Sequence, residues 1–184
     1  QGGKGKTAVN YTFNAEFSQP TKLLKKTRGY DYAYNQMLAG INDGLDEADL
    51  PFNQEVLDII KNQSDPYTSG HADTDWLGEG LKTVAPQYKH TVSLSGSGNK
   101  VNYYISLGML NQGSIYTSNA LNYDRYTVRS NVNTTFDKIG LKVSLNLNGA
   151  YEKKEYPSFS AAKIWEDLYN QSPLNPAYNK DGTY

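Results

Sequence analysis

The sequence predicts an all-β chain, one stretch of an antiparallel β-barrel that crosses a membrane with strands, and three observations predict it. Apolar and polar residues alternate in five runs, and a period of two places them on opposite faces of a strand. The runs are about 8 to 12 residues long, beyond the roughly five or six of soluble strands and close to the roughly nine to eleven that a tilted strand needs to cross hydrocarbon. Their connections alternate between tight turns and long loops, as in barrels whose turns face one side of a membrane and whose loops face the other.

The first run, residues 7–17, sets Val9, Tyr11, Phe13, Ala15 and Phe17 against Asn10, Thr12, Asn14 and Glu16. The second, 88–95, sets Tyr88, His90, Val92 and Leu94 against Lys89, Thr91, Ser93 and Ser95, and stops at the turn Gly96-Ser97-Gly98-Asn99-Lys100. In the third, 101–111, Val101, Tyr103, Ile105, Leu107 and Met109 oppose Asn102, Tyr104, Ser106, Gly108 and the misfit Leu110. The fourth, 125–136, sets Tyr126, Val128, Val132 and Phe136 against Arg125, Thr127, Arg129, Asn131, Asn133 and Thr135. After the turn Asp137-Lys138-Ile139-Gly140, the fifth, 141–151, sets Leu141, Val143, Leu145, Leu147 and Tyr151 against Lys142, Ser144, Asn146 and Asn148. Aromatic residues on the apolar parity fall near strand ends (Phe17, Tyr88, Tyr126, Phe136, Tyr151), where interfacial girdles require them. The segments 18–87, 111–122 and 152–184 are the expected long loops. Within them, helical spacing is expected around 30–41 (Tyr34, Met37, Leu38, Ile41), 52–60 (Val56, Leu57, Ile59, Ile60) and 160–168 (Ile164, Trp165, Leu168). The first two are expected to fold on the loop's own core.

Composition removes several functions. The 184 residues carry 18 Lys+Arg against 19 Asp+Glu, a net charge of −1, whereas a phosphate-tracking nucleic-acid domain shows a basic stripe; no nucleic-acid partner is expected. The absence of cysteine excludes disulfide frameworks, thiolate metal sites and cysteine nucleophiles, and leaves His71 and His90 as the only imidazoles. A mean hydropathy of −0.69 is compatible with a membrane barrel, because alternation averages out. The competing reading is a soluble β-sheet carbohydrate-binding module, whose apolar faces would meet a second sheet. Five strands cannot close a barrel, since the smallest have about eight. Further strands are therefore expected outside this stretch, because an open edge in lipid leaves backbone groups unpaired.

The motifs resemble a known family. They are Lys4-Gly5-Lys6 leading into the strand to Phe17; Thr74-Asp75-Trp76-Leu77; His90 to Ser97 with Lys100-Val101-Asn102-Tyr103-Tyr104-Ile105-Ser106-Leu107-Gly108; Tyr123-Asp124-Arg125-Tyr126 with Arg129-Ser130-Asn131-Val132; and Asn175-Pro176 with Tyr178-Asn179 and Asp181-Gly182-Thr183-Tyr184. In this order and spacing they resemble the RagA/SusC family of TonB-dependent outer-membrane transporters of Bacteroidota over nearly the whole chain. The resemblance implies the start of a barrel of about 22 strands in the Gram-negative outer membrane, following a plug. It also implies a SusD/RagB-like lipoprotein lid, energy from the TonB-ExbB-ExbD complex through an N-terminal region, and import of oligosaccharides or peptides. Signal peptide, plug and the later strands are expected to lie outside this segment.

For contact with substrate, Tyr104, Arg125, Arg129 and Asn131 have the lumen parity; the competing reading has them bonded to the plug or to one another. Asp75 and Trp76 are expected to brace the long loop where it returns to the barrel. No catalytic residue, cofactor or metal is expected. Glu16, Asp73, Asp75, Glu152 and Glu155 have no spacing that alone makes an acid–base pair. Asn179-Lys180-Asp181-Gly182 lacks the distal bidentate Glu of a calcium loop and reads as a turn.

Overall fold

The computed structural model describes residues 5–118 and 121–184. Lys4 of the opening motif, and residues 119–120 of the loop expected at 111–122, lie outside the described residues. Contacts divide the chain into two compact units: the strands with their tight turns (residues up to Pro20 and Lys82–Ser158), and a loop unit made of Thr21–Leu81 and Phe159–Tyr184.

The first unit is a single antiparallel meander in the order β1 (Ala8–Ser18), β2 (Ala85–Ser97), β3 (Val101–Gln112), β4 (Asn122–Phe136) and β5 (Leu141–Glu155). Register is continuous along every pair, without a bulge. The strands run beyond the alternating runs toward the long loops, because Gln87 pairs with Gln112 and Asn122 to Arg125 pair with Glu155 to Glu152; these backbone ladders continue where hydrophobic alternation stops. At the β4–β5 turn the chain reverses through Gly140 at φ +66°, a left-handed conformation natural to glycine. Lys100 and Asp137 of the two tight turns approach to 3.3 Å, an exposed pair of small energetic weight.

Register carries the two-faced pattern across the sheet. One face stacks rows such as Val9–Leu94–Ile105, Tyr11–Val92–Leu107–Val128 and Phe13–His90–Met109–Tyr126–Tyr151. These side chains have no cover: Val9 is 68%, Leu107 57%, Leu145 52% and Leu147 55% exposed. A soluble sandwich would bury them. The apolar band runs on β4 from Phe136 to Tyr126. At about ten rises of about 3.3 Å and a tilt near 40°, that is about 25 Å of height, the thickness of an outer-membrane barrel's apolar belt. Beyond the aromatic row the next row is Ala15 and Tyr88 on β1 and β2 and turns polar on β3 to β5 as Asn111, Asp124 and Lys153, with Asn111 donating to Asp124 at 2.6 Å. His90, the polar member of the aromatic row, shares a hydrogen bond of 2.8 Å with the Tyr11 hydroxyl.

The loop unit holds α1 (Gly29–Asn42), α2 (Gln54–Asn62), α3 (Trp76–Gly80) and α4 (Ala161–Asn170). Its core is Ala33, Leu57, Ile60 and Leu174, flanked by Tyr30, Tyr32, Met37, Phe52 and Val56. As expected, the helices of the long loop pack on residues of that loop, and Leu174 of the last segment completes the core. Helix α1 buries a face shifted from the stripe expected: Met37 packs on the core and Leu38 is half-buried, but Tyr34 and Ile41 are exposed, and the fully buried positions are Gly29, Ala33 and Gly40. Small residues are selected there by close approach. A Cβ on Gly29 would lie 2.7 Å from the Ala72 carbonyl oxygen, and one on Gly40 would lie 2.9 Å from Leu50. The short helix α3 escapes periodicity, having five residues with two glycines; Gly80 has no room for a side chain beneath Leu168 of α4.

Candidate functional site

The polar face of the sheet brings the expected lumen residues together. Tyr104 on β3 lies directly opposite Asn131 on β4, Arg129 opposite Ser106, and Arg125 opposite Leu110. Tyr104, Arg125 and Arg129 line one hollow of about 370 Å³; Asn131 borders Tyr104 but is not among its lining residues. The floor of the hollow is the row Thr91–Gly108–Thr127. Gly108 keeps that floor low, because the Thr127 hydroxyl lies over it and a Cβ there would be only 2.5 Å from it. A glycine inside a strand marks such a close approach, and this is the signal by which sequence reading alone could have found Gly108 and Thr127.

Charge around the hollow is uneven. Arg125 pairs with Glu152 across β5, Nε to Oε1 at 3.6 Å, and Glu16 accepts from Gln87 at 3.1 Å. Lys89, in the same row as Arg125, and Arg129 make no ion pair among the described residues. Such a face can attract anions and hydrogen-bond to hydroxyl or amide groups.

In the loop unit, Asp75 N-caps α3 by accepting from the Gly78 N–H at 3.1 Å. The Trp76 indole Nε1 donates to the Ser172 carbonyl at 2.8 Å. Neighbouring Thr74 adds two bonds to the last segment, its N–H to Pro173 at 2.8 Å and its hydroxyl to Asn175 at 2.6 Å. Asp73 has the largest role: its Oδ1 accepts from the Gly29 N–H at 2.6 Å at the start of α1, and its Oδ2 from Arg28 Nη2 at 2.7 Å. That hydrogen bond raises the Arg28 pKa above its ordinary value. Lys26 caps the C-terminus of α4, donating to the Gln171 carbonyl at 2.7 Å and to the Leu168 carbonyl at 3.2 Å, where carbonyls at a helix C-terminus lack partners. Burial lowers its pKa, with Asp75 opposing. Tyr178 donates to Glu79 at 2.8 Å; that bond, with the neighbouring Tyr184, pushes its hydroxyl up to about 12. No group of three or more His, Asp or Glu side chains is placed to hold a metal among the described residues.

No protein-family model matches the chain. It is similar to TonB-dependent receptor P3 of Formosa agariphila, 30% identical over 154 residues that make 80% of this chain and 15% of that protein. It is also similar to TonB-dependent receptor P26 of the same organism, 31% identical over 122 residues, 66% of this chain and 11% of that one. The chain therefore spans well under a fifth of the length of these relatives. Its fold is similar to part of the RagAB peptide transporter, with a TM-score of 0.65 over 97% of this chain and 22% of the solved one, at 20% identity.

Proposed function

We propose that the chain is a segment of a TonB-dependent outer-membrane transporter of the RagA/SusC family, as its likeness to two TonB-dependent receptors and to the fold of the RagAB transporter supports, and that in the whole protein its five strands form one wall of the import barrel. The single observation that carries this is the two-faced sheet, whose apolar belt of membrane height ends at the row Phe13–His90–Met109–Tyr126–Tyr151. The strands β1 and β5 pair with barrel strands outside this segment, since open edges in hydrocarbon are costly. The polar face looks into the lumen, where Tyr104, Arg125, Arg129 and Asn131 contact the imported solute. That solute is an oligosaccharide or a peptide.

The tight turns at 98–100 and 137–140 face the periplasm, and the loop unit stands outside the cell. There Asp75 and Trp76 brace the long loop against the last segment, and the ordered surface meets a SusD/RagB-like lipoprotein. The TonB-ExbB-ExbD complex acts through a region outside this chain. The test is expression of the full-length protein in a strain lacking it. Heat-modifiable migration, co-purification of the lipoprotein and restored growth on the transported nutrient are the expected results. A folded barrel that restores no growth would refute the import role, and recovery in the soluble fraction would refute the barrel.

A further inference from the structure

We infer that the hollow over Gly108 is a subsite for an anionic group, a carboxylate or sulfate ester carried by the imported solute. This rests on the polar face lining the lumen and adds the chemistry of what passes it. Lys89 and Arg125 stand on one side of the Thr91–Gly108–Thr127 floor and Arg129 on the other. Arg125 and Arg129 are about 13 Å apart along β4, four rises of about 3.3 Å, and both line the hollow. Arg125 pairs with the Glu152 carboxylate, and Glu16, which also lines the hollow, accepts from Gln87; Lys89 and Arg129 form no ion pair among the described residues, so three lining cations face one lining carboxylate. A guanidinium and an ammonium lining one hollow can hold a carboxylate or sulfate through charge-assisted hydrogen bonds. The threonine hydroxyls add neutral donors, and the Tyr104 ring at the rim adds a flat apolar wall. At about 370 Å³ the hollow lies at the small end of ligand pockets, the size for one charged residue of a longer chain. An acidic segment of the transporter itself would need the cations but not the hydroxyl floor or the ring.

The test uses the full-length transporter, purified in detergent as a heat-modifiable barrel, and its K89Q/R129Q variant. Binding is measured by titration calorimetry for a uronic-acid tetrasaccharide, a sulfated tetrasaccharide and an acidic tetrapeptide, each beside a neutral counterpart of the same length. The expected result is that at least one anionic probe binds more tightly than its counterpart and loses at least about tenfold in the variant, so that its advantage over the neutral counterpart disappears; which probe wins separates sugar from peptide. No preference for any anionic probe, or a preference that survives in the variant, overturns the inference. So does a variant whose barrel melts at lower temperature with its anion binding unchanged, which would assign the cations to an internal acidic segment. Wild-type import of the growth nutrient, measured alongside, separates these outcomes from failure of the transport reading.

Discussion

Leu147→Arg and Asn146→Arg place the same charge at the same depth on opposite faces of β5, and they should differ sharply in cost. On β5 the belt runs from Leu141 to Tyr151, the partners of Phe136 and Tyr126. A rise of about 3.3 Å tilted by about 40° gives about 2.5 Å of depth per residue. Leu147, about four residues below Tyr151, therefore sits about 10 Å inside the aromatic boundary and close to the middle of a belt about 25 Å high. Its side chain is 55% exposed on the apolar face, so arginine there would meet hydrocarbon and cost about 2–4 kcal/mol. That is roughly a 30- to 900-fold change in the folding equilibrium. Arginine at 146 points to the polar face, beside Asn131 on the neighbouring strand, and should cost well under about 1 kcal/mol. The assay is denaturant unfolding of the full-length barrel from lipid vesicles. Equal costs at the two positions, or a larger cost at 146, would refute the assignment of faces.

Epitope tags inserted at Ser118 and Ser97 in intact cells should be reached by antibody only at Ser118; the reverse would invert the proposed orientation. Leu57→Ala, at a side chain with no exposed surface, should destabilise the loop unit by about 2–5 kcal/mol. This would be seen as faster hydrogen exchange in α1 and α2 with heat-modifiable migration of the barrel unchanged, and unaltered exchange would contradict the core described. Tyr178 should hold its proton to about 12 because Glu79 accepts from the neutral hydroxyl. Its contribution to loop stability is then constant below its ordinary pKa of about 10 and is lost as pH rises toward about 12. Glu79→Gln should return the tyrosinate absorbance change toward the ordinary value, and an unmoved titration would show that Glu79 is not the cause. Deleting Arg28–Gln63 should weaken lipoprotein association and import in an inserted barrel, and no change in either would rule out the loop's proposed role.

Strands were legible because a period of two survives wherever one side faces lipid and the other water, as along Val9 to Phe17 and Leu141 to Leu147. The register could not be read, yet it is what sets Tyr104 against Asn131 and opens the hollow at Gly108. The helices at 30–41, 52–60 and 160–168 were visible from apolar spacing. The face that α1 buries was not, because hydropathy scores Tyr34 and Ile41 above the glycines whose value is the space they leave. Nor does local sequence tell that Leu174 joins Leu57 and Ile60, since that contact spans more than a hundred residues. Lys89 was placed on the polar face by parity, but its lack of a counter-charge depends on neighbours from other strands.

The central claim is that these strands form a barrel wall with one face in lipid and the other in an aqueous lumen. The chain contains no cysteine, so single cysteines carrying a spin label can be introduced one at a time from position 143 to position 152 of β5 in a full-length transporter free of other reactive thiols, reconstituted in bilayers. Oxygen accessibility is predicted to peak at positions 143, 145, 147, 149 and 151 and accessibility to a water-soluble nickel reagent at 144, 146, 148, 150 and 152, the two profiles alternating out of phase with a period of two. Profiles that rise and fall together, or that show no alternation, would contradict it.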